Sequence, residues 1–470
     1  MSIILEDFDK VLKTHHLSKI KEFYYNYKKY INLEYQYYCY FRFACSEGNQ
    51  ELSEWILSIL SIDDVHHKYL HDELFKFGCI MAFHGACNNG HLHIAQWLYS
   101  IVPVKNDIDI FDYETIQNTC YNGHLNVVKW LYSIRPNPLQ INSKCLYSAC
   151  KGGKLDMAKW IIQENPDILF HCHNDHVFTV ACRNGHLHIA KWIFSIIEEK
   201  DRSGNYIYTK DAFICACKKG HLHIAQWLYS LDYKTYIILA SQTSFRYACE
   251  NGHLETVEWL YSINNDIDIS INNEENFRLA CHNGHLYIAQ LLLYIKPDIN
   301  INIYDNHIFS DACRDGHLHI AKWFYSICPN VMDTFKKTEF PFIYACANNH
   351  LEISKWLLEV NPNINVAINK DNAFRCACVK YHLDMVQWLQ SLSPYGLYYT
   401  YKVDTKNKLI TFSTQKINYS FLKKRLDNVH TGNEICFREA LVRNRFHPKY
   451  MDKWVDWGHD EAEDFDLHPW

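Results

Sequence analysis

A cysteine returns along this chain at a nearly fixed interval: Cys45, Cys87, Cys120, Cys150, Cys182, Cys217, Cys249, Cys281, Cys313, Cys346 and Cys378 fall mostly 32 or 33 residues apart. A period of that length marks stacked repeats and takes precedence over any single-core reading. Aligned on these residues, the repeat reads Phe-x-x-Ala-Cys-x-x-Gly-His-Leu-x-Ile-Ala-x-Trp-Leu, as in Phe178 to Leu187, Phe245 to Leu254 and Phe309 to Leu318. The chain holds 19 cysteines, and these eleven mark a repeat position, not a set of bridges. That usage fits a reduced, cytoplasmic protein.

Each repeat predicts two short helices. In the first, Phe213 and Ala216, or Phe277 and Ala280, lie three apart on one face. An Asp or Asn before it is expected to cap it, as in Lys370-Asp371-Asn372. Gly90, Gly123, Gly153, Gly185, Gly220, Gly252, Gly284 and Gly316 stand where it closes in a left-handed conformation. In the second helix Leu222, Ala225 and Leu228, or Leu286, Ala289 and Leu292, recur every three residues, and Ile224 or Ile288 with the Trp broaden the apolar surface. A helix apolar on two sides needs neighbours on both, so the repeats must stack, each touching the next. Trp97, Trp130, Trp160, Trp192, Trp227, Trp259, Trp323, Trp356 and Trp388 are expected to form a buried ladder, with Leu291 taking the place once. Truncating a buried member to alanine would remove about 3–5 kcal/mol.

With 470 residues, 48% of them apolar, and a net charge of -6, the chain can bury an extended core. That balance argues against disorder and against a nucleic-acid partner. No apolar run approaches the roughly 18–20 residues that span a bilayer, and the opening Met-Ser-Ile-Ile-Leu-Glu-Asp-Phe-Asp-Lys lacks a basic stretch followed by an apolar one. A soluble protein with no membrane partner and no secretory signal is expected.

The order helix, Gly-His-Leu, helix, then an extended link (Asp107 to Ile110, Asp266 to Ile269, Asp298 to Ile301) resembles ankyrin repeats over about residues 40 to 390. The variant with Ala-Cys, and with Trp-Leu-Tyr-Ser closing the second helix, is similar to ankyrin proteins of large DNA viruses that infect amoebae. The resemblance implies an all-α, ankyrin-type repeat solenoid of about eleven helix-turn-helix units with atypical terminal caps. Departures are the near absence of Thr-Pro-Leu-His (Pro341-Phe342 survives), loss of Gly at Asn349 and Tyr381, and loss of His at Asn49 and Lys154. Three regions are expected: a helical N-terminal cap, 1–38; the solenoid, 39–393; and a C-terminal cap with an acidic tail, 394–470, the acidic run being Asp460 to Asp466. Ile62 to Ile80 lengthens one gap, and Glu198 to Asp211, with Arg202-Ser-Gly-Asn205, is expected to project as a loop. Tyr395 to Phe412 mixes aromatic and β-branched residues.

Among chemical motifs, Cys-x-x-Gly-His repeats as Cys87/His91, Cys182/His186 and Cys217/His221. Zinc needs about four converging ligands, and repeats stacked about 10 Å apart keep equivalent cysteines from sharing an ion or a bridge. The cysteines, including the Cys-x-Cys pairs Cys215/Cys217 and Cys376/Cys378, read as small apolar fillers, and the histidines as helix starts with hydrogen-bonded rings. His67 and His71, beside His66 and Asp72, share a helical face without the Glu of a protease motif and read as solvated surface. Phosphate-loop, nucleophile-elbow and dinucleotide motifs do not occur, so no catalytic residue, cofactor or small-molecule partner is expected.

In ankyrin proteins partners generally bind the hairpin tips and the concave first-helix face. By that resemblance the binding stripe runs Asn88, Tyr121, Lys151, Arg183, Lys218, Glu250, His282 and Arg314. Its middle is basic although the chain is acidic, which suits an acidic patch on a partner. The expected function is a non-catalytic scaffold for a protein partner. A ubiquitin-ligase substrate adaptor is the first alternative, and a metal- or thiol-active protein using the His and Cys rows the second. Lys423-Lys424-Arg425 reads as plain surface, with nuclear entry as its other reading.

Overall fold

The repeat pattern translates into paired helices joined by tight turns, seen in a computed structural model. It describes residues 10–12, 14, 16–27, 36–62, 70–101, 113–134, 142–166, 168, 173–200, 207–231, 234–301, 303–328, 331, 339–366, 368–380, 382–392, 400–404 and 409–413. The chain divides into two units: residues 1–248 with 253–267, and residues 249–252 with 268–470.

In the first unit a leading helix, α1 (Leu17–Tyr27), buries Ile20 and Tyr24 and precedes the paired helices. The pairs are α2 (Gln36–Ser46) with α3 (Gln50–Ile62), α4 (Leu70–Asn88) with α5 (Leu92–Ile101), α6 (Tyr113–Asn122) with α7 (Leu125–Ile134), and α8 (Ser143–Lys151) with α9 (Leu155–Glu164). Then follow α10 (His173–Arg183) with α11 (Leu187–Lys200), α12 (Ile207–Lys218) with α13 (Leu222–Ser230), and α14 (Lys234–Asn251) with α15 (Leu254–Ile263), residues 249–251 of α14 counting with the second unit. First helices pack side by side in the order α2, α4, α6, α8, α10, α12. The second unit continues the pattern: α16 (Ile271–His282) with α17 (Leu286–Ile295), α18 (Ile303–Asp315) with α19 (Leu318–Ile327), α20 (Phe340–Ala347) with α21 (Leu351–Val360), and α22 (Ile368–Val379) with α23 (Leu383–Leu392). Here too α16, α18, α20 and α22 lie in sequence against one another. Two strands follow, β1 (Thr400–Asp404) and β2 (Leu409–Ser413), antiparallel with Thr400 opposite Ser413. This hairpin within the aromatic, β-branched stretch is an addition to the all-helical reading.

The core differs from expectation in which aromatic ring it buries. Phe213, Phe245, Phe277 and Phe309 are wholly enclosed, as are the Ala and Cys that follow them. Of the expected ladder, Trp160 and Trp356 are buried, whereas Trp97, Trp130, Trp192, Trp227, Trp259, Trp323 and Trp388 sit at the rim. Six of these rim indoles lean on the enclosed Phe of the repeat before, as Trp259 does on Phe213 (ring centroids 6.1 Å apart) and Trp323 on Phe277 (6.2 Å), whereas the repeat before Trp192 has Leu146 at that position. The Trp-Leu-Tyr-Ser motif then explains itself. Tyr99 and Tyr229 stand edge-on to the next repeat's Trp130 and Trp259 at 5.8 Å, a favoured aromatic geometry. The serine turns back, Ser100 Oγ donating to the Trp97 carbonyl at 2.6 Å and Ser230 Oγ to that of Trp227 at 2.6 Å, which satisfies a carbonyl at the helix end.

Several local expectations are corrected. The lengthened gap after Ile62 is largely helix, since α4 begins at Leu70, and α14 likewise begins at Lys234, far ahead of Phe245. The loop predicted over Glu198 to Asp211 is mostly absorbed by longer helices, α11 reaching Lys200 and α12 starting at Ile207; residues 201–206 lie outside the described residues. Asp371 and Asn372 fall inside α22 and do not precede it, whereas Asn142 caps α8 by accepting from the Lys144 and Cys145 amides. The helix α2 begins at Gln36, inside the stretch assigned to the N-terminal cap. The extended links at Asp266 to Ile269 and Asp298 to Ile301 bury Ile267, Ile269 and Ile299 and leave the Asp side chains outward. Tyr381, the link Asp107 to Ile110, Lys423-Lys424-Arg425 and the acidic run 460–466 lie outside the described residues.

Candidate functional site

The hairpin tip is built by Ala-Cys-x-x-Gly-His, which closes the first helix. The His186 amide donates to the Ala181 carbonyl (2.9 Å) and the Gly185 amide to that of Cys182 (3.3 Å), and the same pair recurs at His221 with Ala216 and Gly220 with Cys217. Nine hairpin glycines among the described residues hold φ between +74° and +90°, and Asn349 takes the same region at +65°. This closure fixes the end of each first helix, where the stripe occupies the last or next-to-last residue.

The His of each Gly-His-Leu reaches back to the repeat before it. His186 Nε2 meets the Lys151 carbonyl at 3.0 Å, His253 Nε2 that of Lys218 at 3.0 Å and His285 Nε2 that of Glu250 at 3.0 Å. His124, His221, His317 and His350 hydrogen-bond the carbonyls of Asn88, Arg183, His282 and Arg314 in the same way. Asn122 Nδ2 and Asn348 Nδ2 add donors to the Asn88 (2.7 Å) and Arg314 (3.0 Å) carbonyls. Seven of the eight stripe positions therefore have their backbone pinned by the following repeat. The eighth is Tyr121, where Gly152 and Lys154 replace the usual residues and the Gly152 Cα approaches the Tyr121 carbonyl directly.

The side chains separate by unit. In the first, Asn88 is half-buried and accepts from Thr119 Oγ1 (3.3 Å), and Tyr121 is 44% exposed. Lys151 and Arg183 are exposed, with Arg183 Nη2 3.6 Å from Cys215 Sγ. Lys218 is half-buried with Nζ 4.6 Å from the centre of the Tyr247 ring, which Arg246 also covers at 4.3 Å. Tyr247 and Arg246 escaped the sequence reading because they lie before the Cys of their repeat, not after it. In the second unit Glu250 is half-buried, and the positive groups are matched by carboxylates. Arg314 Nη1 binds Asp311 (2.7 Å), its Nε binds Asp315 (2.9 Å), and His282 Nδ1 lies 3.2 Å from Asp315. Burial would raise the Asp315 carboxyl, but the His282 and Arg314 hydrogen bonds prevail and hold it at about 2. The hydrogen bond to Asp315 in turn lifts His282 above its usual value, against burial. The stripe is thus internally neutralised at His282 and Arg314, and its cations in the first unit are Lys151, Arg183 and Lys218.

Burial lowers His124, His221, His317, His350 and His382 below the ordinary imidazole value. A depressed folded value means that the neutral ring stabilises the fold fully above the unfolded pKa of about 6.5, and that this is lost as pH falls through the folded value. His282 works oppositely, its contribution being complete below about 6.5 and fading as pH rises. With five rings lowered and one raised, the urea midpoint is expected to drop between pH 7.5 and pH 5.5. A midpoint that rises over this interval would contradict the neutral-imidazole reading. Burial pushes Cys45, Cys79, Cys217 and Cys346 up to about 12, which withholds at these positions the thiolate that metal or nucleophilic chemistry requires; Cys145 goes the other way, lowered by its hydrogen bond with Cys120. Among the described residues no group of three or more His, Cys, Asp or Glu side chains is placed to hold a metal ion. The His66, His67, His71 and Asp72 side chains lie outside the described residues. No helix among the described residues is long and apolar enough to cross a membrane.

Comparison with known families gives one result. A model described as ankyrin repeats (3 copies) matches residues 83–172, 116–203, 146–238, 178–273, 213–305 and 309–397, together well over half of the chain. No curated protein matches.

Proposed function

The chain belongs to the ankyrin-repeat family, whose repeats are generally protein-protein interaction modules, and from that premise we propose that it is a non-catalytic scaffold holding a protein partner along the first-helix ends. The site comprises Asn88, Tyr121, Lys151, Arg183, Lys218, Glu250, His282 and Arg314. One observation carries this reading: the next repeat's imidazole fixes the backbone of Lys151, Arg183 and Lys218 while their side chains stay outside the core. Groups held in place before a partner arrives lose little freedom on binding. The buried, reduced cysteines suit the cytoplasm, and the likeness to ankyrin proteins of large DNA viruses of amoebae makes a host protein the partner to seek.

Affinity capture with mass spectrometry tests this, comparing the wild type with a variant carrying Lys151→Glu, Arg183→Glu and Lys218→Glu. Arg314 is left intact because its charge is tied to Asp311 and Asp315. A defined partner is expected to be lost from the folded variant. If every partner persists, the stripe is the wrong surface. Ubiquitin-ligase subunits among the partners would make the chain an adaptor.

A further inference from the structure

The helices α8, α10 and α12 pack in sequence, and each ends on a cation: Lys151, Arg183 and Lys218 are their last residues. Neighbouring helices stand about 8–10 Å apart, so the cations recur at roughly that pitch. The carbonyls of all three accept from His186, His221 and His253, which leaves recognition to the charged side-chain ends. The flanking positions in this unit, Asn88 and Tyr121, carry no charge, so the row has three members.

An extended chain crossing such a row must offer a matching charge at the same interval. A polyproline II strand advances about 3.1 Å per residue with three residues per turn, so one face repeats about every 9.3 Å. A β-strand presents one face about every 6.6 Å and falls out of step. We infer that Lys151, Arg183 and Lys218 receive an acidic peptide segment of a partner protein in polyproline II conformation, with a carboxylate at every third residue over about seven residues. This deepens the protein-binding reading above and rests on it. Tyr247, with Lys218 at 4.6 Å and Arg246 at 4.3 Å, keeps the Lys218 ammonium against an aromatic face beside the end of this track. The second unit is not an equivalent track, because Arg314 and His282 already face Asp311 and Asp315.

The test measures fluorescence anisotropy of labelled peptides with the full chain at low salt. One peptide is Glu-Pro-Ala-Glu-Pro-Ala-Glu; a second, Ala-Pro-Glu-Glu-Glu-Pro-Ala, has the same composition and net charge. The spaced peptide is expected to bind about tenfold more tightly than the clustered one, given three exposed ion pairs of modest strength each. Lys151→Gln with Lys218→Gln, folded by circular dichroism, should remove that preference. Equal binding of the two peptides overturns the every-third-residue register. If neither peptide binds while affinity capture still recovers a partner that the charge-reversed variant loses, this inference fails and the scaffold reading stands. Displacement of the peptide by a single-stranded oligonucleotide at equal concentration would also overturn it, since the row would then be reading charge alone.

Discussion

Phe277→Ala is expected to lower the stability of its repeat by about 3–5 kcal/mol, the loss usual for an enclosed aromatic ring, and Trp323→Ala by about 2 kcal/mol. The two rings touch, with centroids 6.2 Å apart, yet they differ in what replaces them. Phe277 is wholly buried, as are Ala280 and Cys281 on the same helix, so its removal is expected to leave a closed cavity. Trp323 lies at the rim, and water fills the space that its removal opens. The same order is expected for Phe213→Ala against Trp259→Ala in the first unit, where the pair stands at 6.1 Å. Urea unfolding followed by circular dichroism reads both pairs. A Trp loss equal to the Phe loss would restore the buried tryptophan ladder that the sequence suggested. Because stability in stacked repeats is shared between a repeat and its neighbours, a broadened transition is expected alongside the shift in midpoint.

The reason for that misreading is instructive about how far the sequence reaches. Period, hairpin glycines and the Ala-Cys face were all legible, because each depends only on residue type at a fixed spacing. Burial depth was not. Trp is the larger apolar residue, but its place in the second helix sends the indole across the junction to the preceding repeat's Phe, with one edge left at the surface. The long helices α4 and α14 were missed for a different reason: they replace an extended link, and Lys234 to Asn251 contains no Gly or Pro to announce where a helix begins. The stripe was half legible. Its cations are visible as letters, whereas the bond from each His ring to a carbonyl one repeat earlier has no sequence signature, since any residue supplies a carbonyl. Asp311, three residues before Arg314, could have been read as its partner. Asp315, standing where Asn precedes the hairpin Gly in most repeats, was the second sign that this part of the stripe is internally neutralised.

That distinction bears on what the stripe can do. A cation paired at 2.7–2.9 Å with two carboxylates, as Arg314 is, would have to give up those partners before meeting another. Lys151 and Lys218 face no such exchange in the contacts described, so an approaching acidic group gains more from them. Net charge alone would have pointed the other way, because the chain carries -6 overall, and the field that a partner meets is set by local arrangement.

The second large effect is expected at two glycines that act for opposite reasons. Gly152 has φ near -82°, a conformation open to any residue, so alanine is not strained there by its own backbone. Its added Cβ would overlap the Tyr121 carbonyl oxygen and stand 2.8 Å from the carbonyl carbon, and backbone cannot rotate aside as a side chain can. Gly152→Ala should therefore force two repeats apart and remove about 3 kcal/mol or more. Gly185 has φ +83°, and a Cβ there would meet the His221 ring at 2.8 Å. Gly185→Ala is expected to lose about 1–2 kcal/mol to the left-handed conformation and about 1 kcal/mol to the displaced His221 bond. The two mechanisms separate in a double-mutant cycle. In a His221→Ala background the second part of the Gly185→Ala loss should vanish, because the ring and its bond to Arg183 are already gone. No single side-chain truncation should relieve Gly152→Ala, since what it strikes is the main chain of Tyr121. A Gly185→Ala loss that is unchanged by His221→Ala would mean that the imidazole row does not couple successive repeats, and would remove the basis for regarding Lys151, Arg183 and Lys218 as fixed in advance of their partner.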